Sequence, residues 1–363
     1  MQLALSTAAA EVALRQVKIA VAGAGDIGRR HMGAICEDPG CTLVAIVDPQ
    51  PNGAMAAERF QTAHYSDLAQ MIDAAEPDGV IIAAPNALHV PLAELCIARR
   101  IPVLVEKPIS DDTLSAYALA DLAETAGVPV LVGHHRRHNP IIRRAREIVE
   151  SGTLGEITAV SAAWLVRKPD DYFNVRWRSE PGGGPILINL IHDIDCLRFL
   201  AGEIVAVQAT TSNRRRGLRV EDSAAVLITF ANGALGTLVL SDATPSPWSW
   251  ELTSGETTSY AYPRVATDCY RISGSRASLG VPTLRMWRHD SAQSWQSPIL
   301  EERHPVAEED PLRLQIRHFV EVIRGKSLPV ITARDAARTL EVTLAVTKSA
   351  QTRTAVDIRG GAG

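Results

Sequence analysis

Lys107 stands in the stretch Val105-Glu106-Lys107-Pro108, at the end of an apolar run, so a strongly hydrated cation lies next to the interior. Pro108 removes an amide and restricts the residue before it to extended geometry, which fixes the direction in which the lysine side chain leaves the backbone. A second constellation lies upstream. Gly23-Ala24-Gly25-Asp26-Ile27-Gly28 follows one apolar run, and Asp48 ends the next, twenty positions after Gly28. Gly23 permits a tight turn, Gly25 lets backbone amides approach a pyrophosphate, and Gly28 lets helix and strand pack closely. The helix that opens at Asp26 and Ile27 presents a partial positive charge. A carboxylate at Asp48 accepts from both ribose hydroxyls and repels a 2′-phosphate, so NAD is expected over NADP. Beside an oxidised nicotinamide, Lys107 would have a depressed pKa and could polarise a substrate oxygen or relay a proton. A lysine snorkelling from a strand end is the plain alternative.

Other residues follow from the same geometry. Pro85, Asn86 and His89 sit just beyond a third apolar run, where strand ends line the crevice of an open sheet, and are expected near the nicotinamide, as is Glu106. Asn86 could equally cap the next helix. The run His134-His135-Arg136-Arg137-His138 has cationic neighbours and no Cys, Asp or Glu beside it, so no metal is expected there. Trp164, Arg167, the Asn174 to Trp177 loop, and Trp248 with Trp250 supply aromatic faces and planar donors for a polyhydroxylated substrate, although tryptophans on a sheet more often serve as core.

These residues need elements to hold them. From Val17 to about Val132, short runs apolar on both faces alternate with helical patterns, as a parallel sheet covered on both sides requires. That half is doubly wound α/β, with Ser66 and Ser110 as expected helix caps. After Asn139-Pro140 the texture changes to alternating strand-like segments (156–167, 203–213, 222–231 and 234–241), the last two joined by Asn232-Gly233. A helical insertion over 185–200 precedes the second of them. Two closing helices start at Asp310-Pro311 and Thr332, and 246–264 reads as a loop. The expected division is an extension over 1–16, a dinucleotide domain over 17–133 and an α/β substrate domain over 134–363 whose sheet is large and mostly antiparallel.

Composition bounds the class. At 363 residues with 46% hydrophobic and 21% charged side chains, the chain can bury two cores, and a net charge of -4 gives no electrostatic reason for nucleic acid. Five cysteines, none in a CxxC pair, fit neither a disulfide framework nor a zinc ribbon, and a reducing cytoplasm is expected. No apolar run is long enough to span a bilayer, and residues 1–16 lack the basic start of a signal peptide.

The motifs GAGDIGRRH (23–31), PNALH (85–89), EKP (106–108), GGGPILINLIHDIDCLRFL (182–200) and the pattern from Leu328 to Ala350 together resemble the Gfo/Idh/MocA oxidoreductases, over nearly the whole chain. The resemblance implies an N-terminal Rossmann domain, an α/β domain with a large sheet that also makes oligomer contacts, and hydride transfer between nicotinamide and a carbinol carbon. A homodimer or homotetramer would follow. The family's lysine maps onto Lys107 and its helix histidine onto His192, while His135 and Arg136 fall where the family borders the substrate. With that mapping His192, with a pKa ordinarily near working pH, is the expected general base for an alcohol proton and Lys107 holds the incipient carbonyl oxygen; a satisfied structural histidine is the competing reading. Many members place an aspartate four residues before the histidine. Here that position holds Ile188, and Asn189 is the nearest polar side chain, able to bond substrate or orient the imidazole but not to carry charge.

The expected activity is NAD-dependent oxidation of a secondary hydroxyl on a sugar, cyclitol or glycoside. Two alternatives use related chemistry: an NAD-requiring glycoside-cleaving enzyme working by transient oxidation, or a dehydrogenase of a cyclic diol. A cofactor-binding sensor without turnover is a third class, and the presence of both Lys107 and His192 argues against it.

Overall fold

The computed structural model describes residues 15–256 and 266–358. Most of the extension expected over 1–16, and residues 257–264 of the expected loop, lie outside them. The first half comprises β1 (Val17–Ala22), α1 (Asp26–Glu37), β2 (Cys41–Val47), α2 (Pro51–Phe60), β3 (Ala63–Tyr65), α3 (Leu68–Ala75), β4 (Gly79–Ile82), α4 (His89–Ala98), β5 (Val103–Val105), α5 (Thr113–Ala126) and β6 (Val130–Val132). Its strands form a parallel sheet in the order β3-β2-β1-β4-β5-β6. The order reverses between β1 and β4, and the carboxyl ends of such strands form a crevice at that switch point. Val80, Ile81, Ile82, Val103, Leu104 and Val105 are each 0% exposed. Helices on both faces demand such runs, and this is why the strands read as continuous rather than alternating.

The helix caps differ from expectation by one or two residues. Asp67, not Ser66, caps α3 by accepting from the Gln70 N–H at 2.9 Å. Asp112, not Ser110, caps α5 by accepting from Ser115 N–H, while Ser110 Oγ supports the turn by accepting from Asp112 N–H. In both places an ionised acceptor stands closer to the free amides of the first turn. Thr332 caps its helix as expected.

The second half adds α6 (Pro140–Glu150), β7 (Ile157–Leu165), α7 (Ile191–Ala201), β8 (Ile204–Ser212), β9 (Ser223–Phe230), β10 (Leu235–Ser241), α8 (Trp250–Ser254), β11 (Tyr270–Gly274), β12 (Ala277–Val281), β13 (Arg285–His289), β14 (Ile299–Arg303), α9 (Pro311–Ile323), α10 (Ala333–Thr352) and β15 (Val356–Asp357). Its strands run β14-β13-β12-β11-β7-β10-β9-β8-β15, antiparallel except for the β7–β10 pair. Asn232-Gly233 turns β9 into β10, with Gly233 in the left-handed region at φ +86°. Alternation is clean: on β10, Gly236, Leu238 and Leu240 are buried while Leu235, Thr237 and Val239 face outward. The strands β11 to β14, absent from the sequence expectation, extend the same sheet.

Two hydrophobic cores result, and the chain crosses between them. Leu312, Ile316 and Phe319 of α9 and Ala336, Ala337 and Leu340 of α10 pack into the core of the parallel sheet, whereas Val342 and Val346 further along α10 belong to the second core. α10 therefore ties the two sheets together. Ile191 on α7 also belongs to the first core, so the helix bearing His192 is seated against the dinucleotide half.

Candidate active site

The glycine loop is built by close contact. Gly23 has φ +106°, and a Cβ there would lie 2.3 Å from the Ala83 carbonyl oxygen; a Cβ on Gly28 would lie 2.0 Å from the Gly23 oxygen. Gly25 differs, with nothing within 4 Å of the side it would present. α1 starts there without a side-chain cap, so its first amides have no acceptor within the helix. Asp48 closes the far side: its Oδ2 accepts from Ala24 N–H at 2.8 Å and its Oδ1 from Gln50 N–H at 2.9 Å. Free amides, an open cradle at Gly25 and a carboxylate at the end of β2 fit a pyrophosphate and an adenosine ribose. Asp26 is paired with Arg29 at 2.5 Å with its carboxylate in solvent, and Ile27 lies beside it at the helix start.

The neighbouring strand ends carry three more expected residues. Pro85 is exposed and Asn86, half-buried, begins a 3₁₀ turn over Asn86–Leu88. His89 is buried with both ring nitrogens spent on main-chain carbonyls, Nδ1 2.8 Å from Pro108 O and Nε2 2.9 Å from Ala84 O. It braces the end of β4 against the Lys107-Pro108 turn instead of facing outward. Glu106 is likewise turned inward, 2.7 Å from His31 Nε2, and its Oε2 accepts from the Lys107 N–H at 3.1 Å. Burial would raise its pKa, but the hydrogen bond and charge of His31, with Lys107 and His135, outweigh that and hold it at about 2. Glu106 is a fixed negative charge beneath the lysine.

Lys107 leaves β5 toward the second half. Its Nζ donates to the carbonyl of Ile188, 3.2 Å away. Ile188 lies in a π-helical turn, Ile186–Leu190, that runs directly into α7, a distortion that concentrates at functional sites. Burial lowers the lysine pKa, Glu106 opposes the shift, and Arg136 adds to it. His192 stands one turn after Ile188, 8% exposed, with Nδ1 unpartnered among the described residues. Burial first, then Lys107, Arg136, His135 and His134, push its pKa well below the usual imidazole range. The expectation of an imidazole titrating near working pH is corrected: burial, with Lys107 and Arg136 nearby, lowers the proton affinity of His192.

Asn189 does not orient His192. Its Oδ1 accepts from Lys168 Nζ at 2.8 Å. Lys168 is a residue the sequence reading missed, although Lys168-Pro169 beyond β7 repeats the Lys107-Pro108 arrangement beyond β5. It is 7% exposed, lies over the rings of Trp164 and Tyr172, and is 3.8 Å from Asp242. Burial pushes its pKa down to about 8, with Asp242 opposing.

The histidine–arginine run disperses to separate partners. His134 lies 4.0 Å from Asp195, His138 packs against the His318 ring, and Arg137 forks onto Asp195 and Asp335. Arg136, expected to grip substrate, is 2% exposed and spends its donors on Asp193 at 3.0 Å, Glu251 at 2.7 Å and Tyr270 at 3.2 Å. Trp164 is fully buried and donates its Nε1–H to Glu251 at 3.0 Å, while Trp250 stacks on Tyr270. These groups form a rigid wall behind the site. His135 does face it: its ring meets His192 edge to face, centroids 5.4 Å apart, and its Nε2 lies 2.9 Å from Glu256 Oε1. Arg167, Asn174 and Trp177 lie on an exposed segment, Arg167 paired with Asp170, and no described contact joins them to Lys107 or His192. Two of the carboxylates around the site, Glu251 and Glu256, come from the segment expected to be loop, which contains α8. Ser249 before it and Gly255 after it, at φ +70°, are the cap signals that reveal it.

Comparison with known proteins agrees with this architecture. Residues 17–134 match the model described as an oxidoreductase family with an NAD-binding Rossmann fold, and residues 142–279 match the GFO/IDH/MocA C-terminal domain. The rhizopine catabolism protein MocA of Rhizobium meliloti is 31% identical over 196 residues, which cover 52% of this chain and 59% of that protein. An inositol 2-dehydrogenase of Leifsonia xyli is 29% identical over 226 residues, 60% of this chain and 64% of that one. The matched segments thus span under two thirds of either relative. In three dimensions, an Agrobacterium radiobacter oxidoreductase in complex with NAD+, L-tartaric acid and magnesium superposes with a TM-score of 0.79 at 21% identity, covering 95% of this chain and 99% of that one. The chain belongs to the Gfo/Idh/MocA family of oxidoreductases with an NAD-binding Rossmann fold.

Proposed function

We propose that the protein is an NAD-dependent dehydrogenase of a secondary hydroxyl on a sugar, cyclitol or related glycoside. The observation that carries this reading is the convergence of Lys107 from the dinucleotide sheet and His192 from α7, joined through the 3.2 Å bond from Lys107 Nζ to the Ile188 carbonyl. Gly23, Gly25, the amides of Asp26 to Gly28, and Asp48 would hold the dinucleotide, with Asn86 and Pro85 toward its nicotinamide end. When bound, a nicotinamide supplies a hydride acceptor. Lys107, its charge weakened by burial, holds the carbinol oxygen as that oxygen becomes a carbonyl. Neutral His192 offers a hydrogen bond to the same oxygen, and Lys168 with Asn189 extends the polar wall to further hydroxyls. The buried Arg136, Asp193, Glu251 and Tyr270 fix the backing of the site so that its dipoles need not reorganise.

The deciding experiment incubates the protein and NAD with a panel of monosaccharides, anhydrosugars, cyclitols, glycosides and cyclic diols while following NADH absorbance. NADH formation with one of them is expected. Sugar release without accumulating NADH would instead favour cleavage by transient oxidation. The outward face of the large sheet, where Leu227 and Leu235 are exposed at a depression of about 620 Å³, supports assembly as a homodimer or homotetramer, which light scattering tests.

A further inference from the structure

His192 is poorly placed to keep a proton. It is buried, Lys107 and Arg136 lie close by, and an imidazolium there would be one more cation beside them. The carboxylates nearby are committed elsewhere: Glu106 to His31, and Glu251 and Asp193 to Arg136. His135 is different. It stands edge to face with His192, retains 16% of its side-chain exposure, and has a carboxylate partner in Glu256, itself 6% exposed. Ring nitrogen Nε2 lies 2.9 Å from Glu256 Oε1, whereas Oε2 of the same carboxylate accepts from Asn139 Nδ2 at 2.9 Å and from Trp250 Nε1 at 2.8 Å. Those two donors have no alternative polarity. Trp250 can only donate, and Asn139 Oδ1 is already occupied by the Ile141 N–H at 2.9 Å. Glu256 is therefore locked, its Oε1 can only accept from His135, and the imidazole is held as the Nε2–H tautomer with Nδ1 as its free acceptor.

We propose that His135 is the proton acceptor of the oxidation, with Glu256 as its positioning residue and His192 as the neutral hydrogen-bond partner of the reacting oxygen. This rests on the dehydrogenase reading above. The step balances: a bound oxidised nicotinamide would supply the two-electron acceptor for the carbinol hydrogen, which would leave as hydride. The O–H bond breaks with its electrons retained to form the carbonyl, and the proton bonds to His135 Nδ1 before passing to solvent. Glu256 compensates the imidazolium charge, which no group does for His192.

Glu256→Gln gives a test with an unusual signature. Because Asn139 and Trp250 demand an oxygen, the amide oxygen takes their side and the NH₂ group faces His135 Nε2. That geometry forces the Nδ1–H tautomer and removes the acceptor. Nitrogen-15 spectra of histidine-labelled protein with NADH should show His135 as Nε2–H in the wild type and Nδ1–H in Glu256→Gln. With whichever panel compound yields NADH, kcat of the variant should fall roughly 10²-fold or more, with KM and NADH affinity nearly unchanged, and Glu256→Asp should recover part of it. His135→Asn, which can still donate to Glu256 but cannot take a proton, should lose as much and covers the case of a misfolded Glu256→Gln. Wild-type turnover in either folded variant, or an Nδ1–H tautomer in the wild type, overturns the proposal. Absence of NADH from every panel compound with wild-type protein would sink the dehydrogenase reading instead, and the tautomer spectra would still decide how His135 is held.

Discussion

The glycine loop and the lysine–histidine site solve opposite problems. The loop binds with backbone: Gly23 and Gly28 exist to let main chain approach main chain, and Asp48 arrives from the next strand of the same sheet. The wall around Lys107 and His192 is assembled from side chains delivered by four distant segments, namely the end of β5, the turn after β6, the start of α7 and the segment at α8. The first can be read from a contiguous motif because its chemistry is set by local geometry. The second depends on which charges fold next to one another, and the pKa values of Lys107, His192 and Lys168 are all displaced by neighbours remote in sequence.

The contrast is sharpest at Lys107. Lys107→Met should leave NADH binding, followed by fluorescence, within about twofold, while NADH production falls on the order of 10³-fold or more. Turnover surviving in that variant would remove the lysine from the chemistry and leave the dinucleotide loop as the one functional element.

Acid should destabilise the fold through the buried histidines after β6. Burial lowers the pKa of His134 to about 4 and of His138 to about 3, in each case with nearby cations contributing, against an ordinary value of 6.5. Between roughly pH 6.5 and those folded-state values the unfolded chain binds protons that the folded chain refuses. Stability therefore falls as pH drops through that window, by at most about 1.4 kcal/mol per unit for each histidine, and levels off below it. Thermal melts from pH 7 to pH 4 measure the slope. His138→Phe should make it shallower, and an unchanged slope would show that carboxylates alone control acid unfolding.

Asn189→Ala removes the acceptor that holds buried Lys168 and should cost about 2 kcal/mol in denaturant unfolding. A neutral result would mean that Asp242 re-pairs with the ammonium. The smallest effect is expected at the loop itself. Asp48→Ala should relax discrimination against NADP by about tenfold, about 1.4 kcal/mol, measured as the ratio of kcat/KM for the two cofactors. An unchanged ratio would place ribose recognition elsewhere.

Legibility in the sequence followed the same divide. The parallel strands, the Asn232-Gly233 hairpin, the Asn139-Pro140 and Asp310-Pro311 helix starts and the Thr332 cap were all readable, because each is dictated by a short window of side chains. The caps at Asp67 and Asp112 were displaced because neighbouring serines offer the same chemistry, and only backbone dihedrals choose between them. α8 was hidden by its five-residue length, and β11 to β14 by weak alternation. His89 and Arg136 were read as ligand-facing, and nothing local says that both nitrogens of the one, and the forked donors of the other, are consumed by carbonyls and carboxylates from elsewhere.

Sequence alone determined the fold class, the dinucleotide loop with its Asp48 and the placing of Lys107 at a strand end, since periodicity, glycine and proline act through the covalent backbone over a few residues, while the family resemblance pointed to His192. Only the tertiary structure decided what state those groups are in. A charge's proton affinity depends on the low-dielectric surroundings and on charges within a few ångströms, and those are assembled by contacts spanning the whole chain. So burial and the nearby Lys107 and Arg136 lowered the proton affinity of His192, Lys168 entered the site unannounced, and Glu256 came to face His135 from 121 residues away.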